Sequence, residues 1–143
     1  MAITVISAGG SIIVPDRPDS GFLSLFRDSM KEYLSRHEDD KLIFVIGGGA
    51  TARIYQEALR ASLDDADPDM LDWIGIRTTH LNATLVKAAF SSLAPDDIVT
   101  DPTAEDLKFT GRVLIAGGWK PGFSTDTDAV YLARRFGAQR VIN

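Results

Sequence analysis

The segment that decides the fold class of this chain runs from Leu42 to Arg53 and reads LIFVIGGGATAR. Its first five residues are apolar and largely β-branched, which is typical of a buried strand. Three glycines follow, and residues from about 50 to 62 favour a helix. Glycines between a strand and a helix let the backbone approach an anion closely, and the start of the helix offers free N–H groups. The segment therefore predicts a phosphate-binding turn.

Arg53 lies about one turn into the predicted helix, where its guanidinium can donate two parallel hydrogen bonds to phosphate oxygens. Two other interpretations stay open. The glycines could form a tight turn without a ligand, with Arg53 solvated on the helix. The turn also satisfies the dinucleotide pattern G-x-G-x-x-A, but the acidic residues about 20 positions later, 67–72, follow no strand.

Two more apolar strands end in glycines. Residues 3–6 precede Gly9 and Gly10, and residues 112–116 precede Gly117 and Gly118. Strands that alternate with helices predict an α/β fold, a mostly parallel sheet with helices on both faces. Ligands bind such sheets at the carboxyl ends of the strands, so we expect the three glycine turns to share one site.

The remaining pattern completes a single α/β domain over residues 1–143. Helices are expected near residues 22–34, 70–90 and 125–136, the second with a possible bend at Gly75. Ile98 and Val99 suggest a short strand, and residues 12–14 suggest an extended segment before two prolines. The last residues, 140–143, begin another strand.

Composition narrows the function classes. The chain has 143 residues, 45% of them hydrophobic and 24% charged, a net charge of −5 and no cysteine. The negative charge argues against a nucleic-acid surface, and the lack of cysteine excludes disulfides and thiolate sites. The two histidines are far apart in sequence, so no metal site is predicted. Neither a signal peptide nor a membrane span is apparent, so a cytoplasmic location with no membrane partner is expected.

Four motifs occur in order along the chain: AGGSIIVP at 8–15, GGGATAR at 47–53, DWIGI at 72–76 with Asn82-Ala83, and GGWKPGFSTD at 117–126. Together they resemble the amino-acid-kinase fold, an α/β/α sandwich, and within it the archaeal-type uridylate (UMP) kinases. The resemblance extends from Ile3 to Asn143. It implies phosphoryl transfer from ATP, with Mg²⁺, to UMP, and a homo-oligomer that is a hexamer in the family.

The resemblance also implies roles for individual residues. Gly9, Gly10 and Ser11 would lie beside the transferred phosphate as the catalytic turn. The other implied contacts are all with UMP: the phosphate would be held by Gly48, Gly49 and Arg53, the ribose hydroxyls by Asp72, and the region near the phosphate or base by Thr125.

Two of these residues also have simpler interpretations. Thr125 could be the N-cap of the last helix, and Asp72 could cap the helix beside Trp73. The apolar stripe that contains Trp73, Leu81 and Leu85 could be core or a subunit contact.

Two departures from the family pattern affect the expected activity. Many members have a lysine where this chain has Ser7. Related proteins also continue into a donor-nucleotide half with a V-D-G-V-Y-like motif, which is absent from this sequence. We therefore expect the UMP-binding half of a kinase, with little or no turnover of its own and an exposed edge strand at Val141 and Ile142.

Other functions stay open at this point. The chain could belong to another kinase of the superfamily, acting on an acyl or other small phosphate acceptor. It could also be a nucleotide-binding or assembly module without catalysis.

Overall fold

A computed structural model describes residues 1–143, and its centre is a four-stranded parallel sheet. The strands are β1 (Ile3–Ala8), β2 (Lys41–Ile46), β3 (Val113–Ala116) and β4 (Arg140–Ile142), in the spatial order β3-β2-β1-β4. All three strand pairs are parallel. The predicted α/β class is confirmed.

Five helices and one short 3₁₀ turn connect the strands. They are α1 (Gly10–Ile13), α2 (Ser20–Arg36), α3 (Gly49–Ser62), α4 (Pro68–Phe90), the 3₁₀ turn Ser91–Leu93, and α5 (Thr125–Phe136). Side chains at the N-caps begin α2, α4 and α5, and the left-handed Gly137 ends α5 as expected. Helix α4 is continuous across Gly75.

The core has two halves because successive residues of β2 face opposite sides of the sheet. Leu42, Phe44 and Ile46 pack with residues of α2 and α4, whereas Ile43 and Val45 pack with residues of α5. Helices therefore cover both faces, as predicted. The helices include none with the length and apolar character that a membrane crossing requires.

Three local predictions were wrong. Residues 10–13 form the short helix α1 rather than an extended segment, because the full burial of Ile13 outweighs the weak helix preference of β-branched residues. Strand β1 continues to Ala8 and so includes Ser7. Near Ile98, only Val99 pairs with the sheet, through a single parallel bridge to Ala116.

The outer strand β4 pairs only with β1, as the prediction of an edge strand requires. Val141 and Ile142 are 46% and 47% exposed. The other edge strand, β3, is fully buried and is partly covered by the bridge at Val99.

Candidate functional site

The glycine turns after β1 and β2 pack directly against each other. A methyl group on Gly10 would come within 2.0 Å of the Gly49 nitrogen and 2.7 Å of the carbonyl carbons of Gly47 and Gly48. Only a residue without a side chain permits this approach of two backbones. The turns after β2 and β3 are also joined, through Thr79 on α4, whose side chain lies near both Gly48 and Gly118. The three turns therefore lie together, as predicted, and the ligand site that they are expected to share stays a prediction.

A cavity of about 410 Å³ lies at this convergence, within the size range of small-molecule sites. Four of the predicted site residues line it, namely Gly48, Gly49, Asp72 and Thr125. The other lining residues come from α3, α4 and the β3–α5 turn: Ala52, Gln56, Gly75, Ile76, Thr79, Gly118, Lys120, Gly122, Phe123 and Ser124. The wall is therefore mostly backbone and polar side chains, which suits a polar ligand.

The predicted catalytic turn and the predicted arginine lie together outside the wall of this cavity. The Arg53 guanidinium donates to the Ser11 hydroxyl at 3.3 Å, which links α3 to the turn after β1. Ser11 and Arg53 are both exposed to solvent. Gly9 has open space around its α-carbon, whereas Gly10 is enclosed by the β2–α3 turn.

Helix α4 holds the β2–α3 turn through one side chain. The buried Asn82 side chain donates from Nδ2 to the Gly47 carbonyl at 2.9 Å and to the Gly48 carbonyl at 3.0 Å. Its sequence neighbourhood contributed to the family resemblance, but nothing in the sequence indicated these contacts, because the partners are 35 and 34 residues away.

The β3–α5 turn is tied to α4 by three hydrogen bonds. The Gly118 N–H donates to the Thr79 hydroxyl at 2.7 Å, and the His80 ring nitrogen lies 2.8 Å from the Gly118 carbonyl oxygen. The Gly122 N–H donates to the Asp72 carboxylate at 3.3 Å. His80 is therefore a structural group with its hydrogen bond satisfied. Asp72 is not a helix cap, because Asp67 holds that position.

Lys120 is the cationic group of the cavity wall, and sequence reasoning missed it. Its ammonium group lies 4.2 Å from the centre of the Trp119 ring and 5.2 Å from that of Phe123. Trp119, Phe123 and Tyr131 pack against one another in tilted and edge-on arrangements. A cation over aromatic faces is stabilised by the ring quadrupole, so Lys120 and Phe123 form one unit at this side of the cavity.

The start of α5 contributes Thr125 to the cavity wall. Ser124 is the N-cap, since its hydroxyl accepts from the Thr127 N–H, so the alternative that Thr125 caps the helix was wrong. Asp126 accepts a hydrogen bond from the buried Ser7 hydroxyl at 2.7 Å. At the position where many family members have a lysine, this chain therefore has a neutral side chain bonded to a carboxylate.

Asp128 is the one strongly perturbed acid near the site. It is 1% exposed, and neither carboxylate oxygen has a hydrogen-bond partner of good geometry, while the Trp119 backbone N–H faces the group and offsets part of the effect of burial. Burial disfavours the charged form and raises the pKa of Asp128 to about 6. The sequence placed this residue in the first turn of a helix and gave no sign of its burial.

The apolar stripe on α4 is not core. Trp73, Leu81 and Leu85 are 42%, 64% and 36% exposed. The alternative interpretation, a subunit contact, stays a prediction. No group of three or more histidine, cysteine or acidic side chains lies close enough together to hold a metal ion.

Comparisons with known proteins point to one family. The uridylate kinase of Methanospirillum hungatei is 38% identical over 148 residues, an alignment that takes in 100% of this chain and 58% of that protein. The uridylate kinase of Pyrococcus abyssi is 36% identical over 96% of this chain and 60% of that protein. The crystal structure of the Archaeoglobus fulgidus uridylate kinase superimposes with a TM-score of 0.82 at 33% identity, over 100% of this chain and 62% of that one.

This chain thus spans about three-fifths of the length of the relatives that it matches. Its sheet and helices reproduce the corresponding part of a uridylate kinase structure. The sequence model of the amino acid kinase family matches residues 2–143. The chain therefore belongs to the amino acid kinase family.

Proposed function

We propose that this chain forms the UMP-binding portion of a UMP kinase, which transfers a phosphoryl group from ATP to UMP and yields ADP and UDP. The observation that carries the proposal is the cavity in which Gly48 and Gly49, at the N-terminus of α3, share a wall with Asp72 and Thr125. The names of the relatives, uridylate kinases at 33–38% identity, support the choice of substrate.

In this proposal each part of UMP meets a group of suitable chemistry. The phosphate is bound by the N–H groups of Gly48 and Gly49 and by the N-terminus of α3, where backbone dipoles favour an anion. Arg53 adds a positive charge beside the same turn. The Asp72 carboxylate accepts from the ribose hydroxyls, and Thr125 contacts the nucleotide near its phosphate or base.

The reaction itself requires little covalent chemistry from the protein. Phosphoryl transfer depends on alignment of the two substrates and on neutralisation of negative charge. Gly9, Gly10 and Ser11 are proposed to lie beside the transferred group, since the first turn packs on the acceptor turn. The donor ATP carries Mg²⁺ on its phosphates in such reactions. The residues of this chain do not form a metal site, so we assign no protein ligand to that ion.

Ligand-dependent stabilisation tests the proposal, because a ligand that binds only the folded state raises its stability. The thermal unfolding of the chain would be followed with UMP, UDP, CMP, AMP, NAD, glutamate and carbamate. We expect stabilisation by UMP that exceeds the effect of the non-nucleotide acceptors. Stabilisation by glutamate or carbamate, with none by millimolar UMP, would instead indicate another kinase of the family.

A second candidate function is nucleotide binding without turnover. The observation that favours it is the hydrogen bond of Ser7 to Asp126, which leaves the usual lysine position without a cation. A coupled assay for ADP and UDP is run on the chain with ATP, Mg²⁺ and UMP, and an absence of turnover is expected from both candidates. Robust UDP formation would eliminate the binding-only candidate.

A further inference from the structure

One buried side chain contacts two successive peptide groups of the β2–α3 turn. Asn82 is 4% exposed and donates from its amide nitrogen to the carbonyl oxygens of Gly47 and Gly48. The Gly48 carbonyl also accepts from the Ala52 N–H at 3.4 Å, and the backbone of Gly10 packs against the turn. Asn82 is the side chain that, together with this packing, holds both peptide groups in their observed orientation.

The N–H groups of the same peptides must point the opposite way. No cis peptide is present, and in a trans peptide the C=O and N–H bonds are antiparallel. The Gly47 carbonyl shares its peptide with the Gly48 N–H, and the Gly48 carbonyl shares its peptide with the Gly49 N–H. With both carbonyls turned toward α4, the two N–H groups are directed away from it.

These two N–H groups have no partner within the protein. The hydrogen bonds of the turn involve the N–H groups of Gly47 and Ala50, which donate to Ala8 and Val14, but not those of Gly48 and Gly49. Both residues line the 410 Å³ cavity. Two consecutive free N–H groups at a helix start form a site for an anion.

We infer that Asn82 is the positioning residue that directs the Gly48 and Gly49 N–H groups at the phosphate of the bound nucleotide. The inference rests on the proposed function and names a residue that acts through the backbone without touching the ligand. It predicts that Asn82 matters for the phosphate group of the ligand and not for the nucleoside.

The test compares UMP with uridine by calorimetry on the 143-residue chain. Asn82→Ala removes both donors, and Asn82→Leu removes them while keeping a side chain that branches at Cγ. We expect either change to weaken UMP binding about tenfold or more, because two N–H groups no longer face the phosphate. Uridine affinity is expected to stay within about twofold. The preference for UMP over uridine therefore falls.

Thr78→Ala is the matched control, since Thr78 is also buried on α4 but donates only to Ile74 in its own helix. It should leave the preference for UMP unchanged. An Asn82 variant that loses affinity for UMP and uridine equally would show a merely structural role and overturn the inference. An unchanged preference in the folded variants would overturn it as well.

A measurement on the unaltered chain covers variants that fail to fold. In a titration with inorganic phosphate followed by NMR, the Gly48 and Gly49 amide signals should shift while the Asn82 side-chain amide stays protected from exchange. A wild type that binds phosphate in this way but does not prefer UMP would contradict the proposed function and support the inference. If phosphate leaves both glycine signals in place, the inference is wrong.

Discussion

The cavity is bounded by two glycine turns that are held in different ways. In the β2–α3 turn, a methyl group on any of Gly47, Gly48 or Gly49 would come within 2.6 Å of another atom, mostly of backbone. The β3–α5 turn is held closely at its start, where Gly118 bonds to Thr79 and His80, but at its far end Gly122 has nothing within 4 Å and one hydrogen bond of 3.3 Å to Asp72.

The difference indicates a division of labour within one site. The first turn is fixed by backbone packing, which tolerates almost no displacement. The far end of the second turn is shaped by the exposed Lys120 and the half-buried Phe123, neither of which belongs to the core. In the proposed function, the UMP phosphate binds at the fixed turn and the adaptable turn contacts the rest of the nucleotide.

Gly10→Ala should produce the largest loss of stability, because it disrupts the close packing of the β2–α3 turn. The added methyl group would overlap the Gly49 nitrogen, and neither backbone can move aside. We expect a loss of about 3 kcal/mol or more in the free energy of unfolding, measured by chemical denaturation. Gly9→Ala is the control, since its methyl group meets nothing within 4 Å. Equal stability of the two variants would contradict the close packing of the two turns.

Arg53→Ala should weaken UMP binding strongly with little effect on folding. The side chain is exposed and its hydrogen bond is to the Ser11 hydroxyl, and in the proposed function its charge attracts the phosphate. Loss of a charged hydrogen-bond donor corresponds to about 2 kcal/mol, or about thirtyfold in affinity. Calorimetry with UMP measures the change, and Arg60→Ala on the same helix is the control. Unaltered binding would mean that the arginine is not part of the phosphate site.

Asp128→Asn should stabilise the chain at alkaline pH. The pKa of Asp128 is about 6 in the folded chain because of burial, against about 4 when unfolded. The folded state thus binds the extra proton, and stability falls as the pH rises from about 4 to above 6. The neutral amide avoids this loss, with a gain of about 2 kcal/mol at pH 8 that disappears near pH 4. Denaturation across this pH range measures it, with the exposed Asp64→Asn as control. If Asp128→Asn stabilised the chain equally at every pH, the stability difference would not come from burial of the Asp128 charge.

Asp72→Asn should have the smallest effect. It tests the part of the cavity near Gly122, where the β3–α5 turn bonds to Asp72. The amide oxygen can still accept from Gly122, but the charge that is proposed to attract the ribose hydroxyls is lost. We expect UMP affinity to fall about fivefold, in line with about 1 kcal/mol for one hydrogen bond. The preference for UMP over 2′-deoxyUMP should decrease in calorimetry, whereas Asp69→Asn should leave it unchanged. An undiminished preference would remove Asp72 from the ribose contact.

Much of the fold follows from local sequence signals. The apolar runs and their terminal glycines predicted three strands and their shared edge, because parallel strands bring their carboxyl ends together. The edge position of Val141 was also predicted. Helix α1 was missed because its residues fold as a helix only when Ile13 is buried beneath the turn. Local propensity carries no information about that burial.

The site was predictable in part. Gly48, Gly49, Asp72 and Thr125, chosen through motif order rather than through any single motif, line one cavity, and their contacts with UMP stay predictions. The contacts of Asn82 and the orphaned carboxylate of Asp128 were not foreseen. Both depend on how α4 and α5 pack against turns that are far away in sequence, and local sequence patterns carry no information about such packing.

The edge of β4 that faces away from β1 affects how the 143-residue chain behaves in solution. Its main-chain groups on that side face no neighbouring strand, and two half-exposed branched side chains flank them. An exposed strand edge of this kind can pair with an extended segment of another chain. We therefore expect concentrated samples of the 143-residue chain to form β-sheet-rich aggregates through this edge. Val141→Lys should delay their formation.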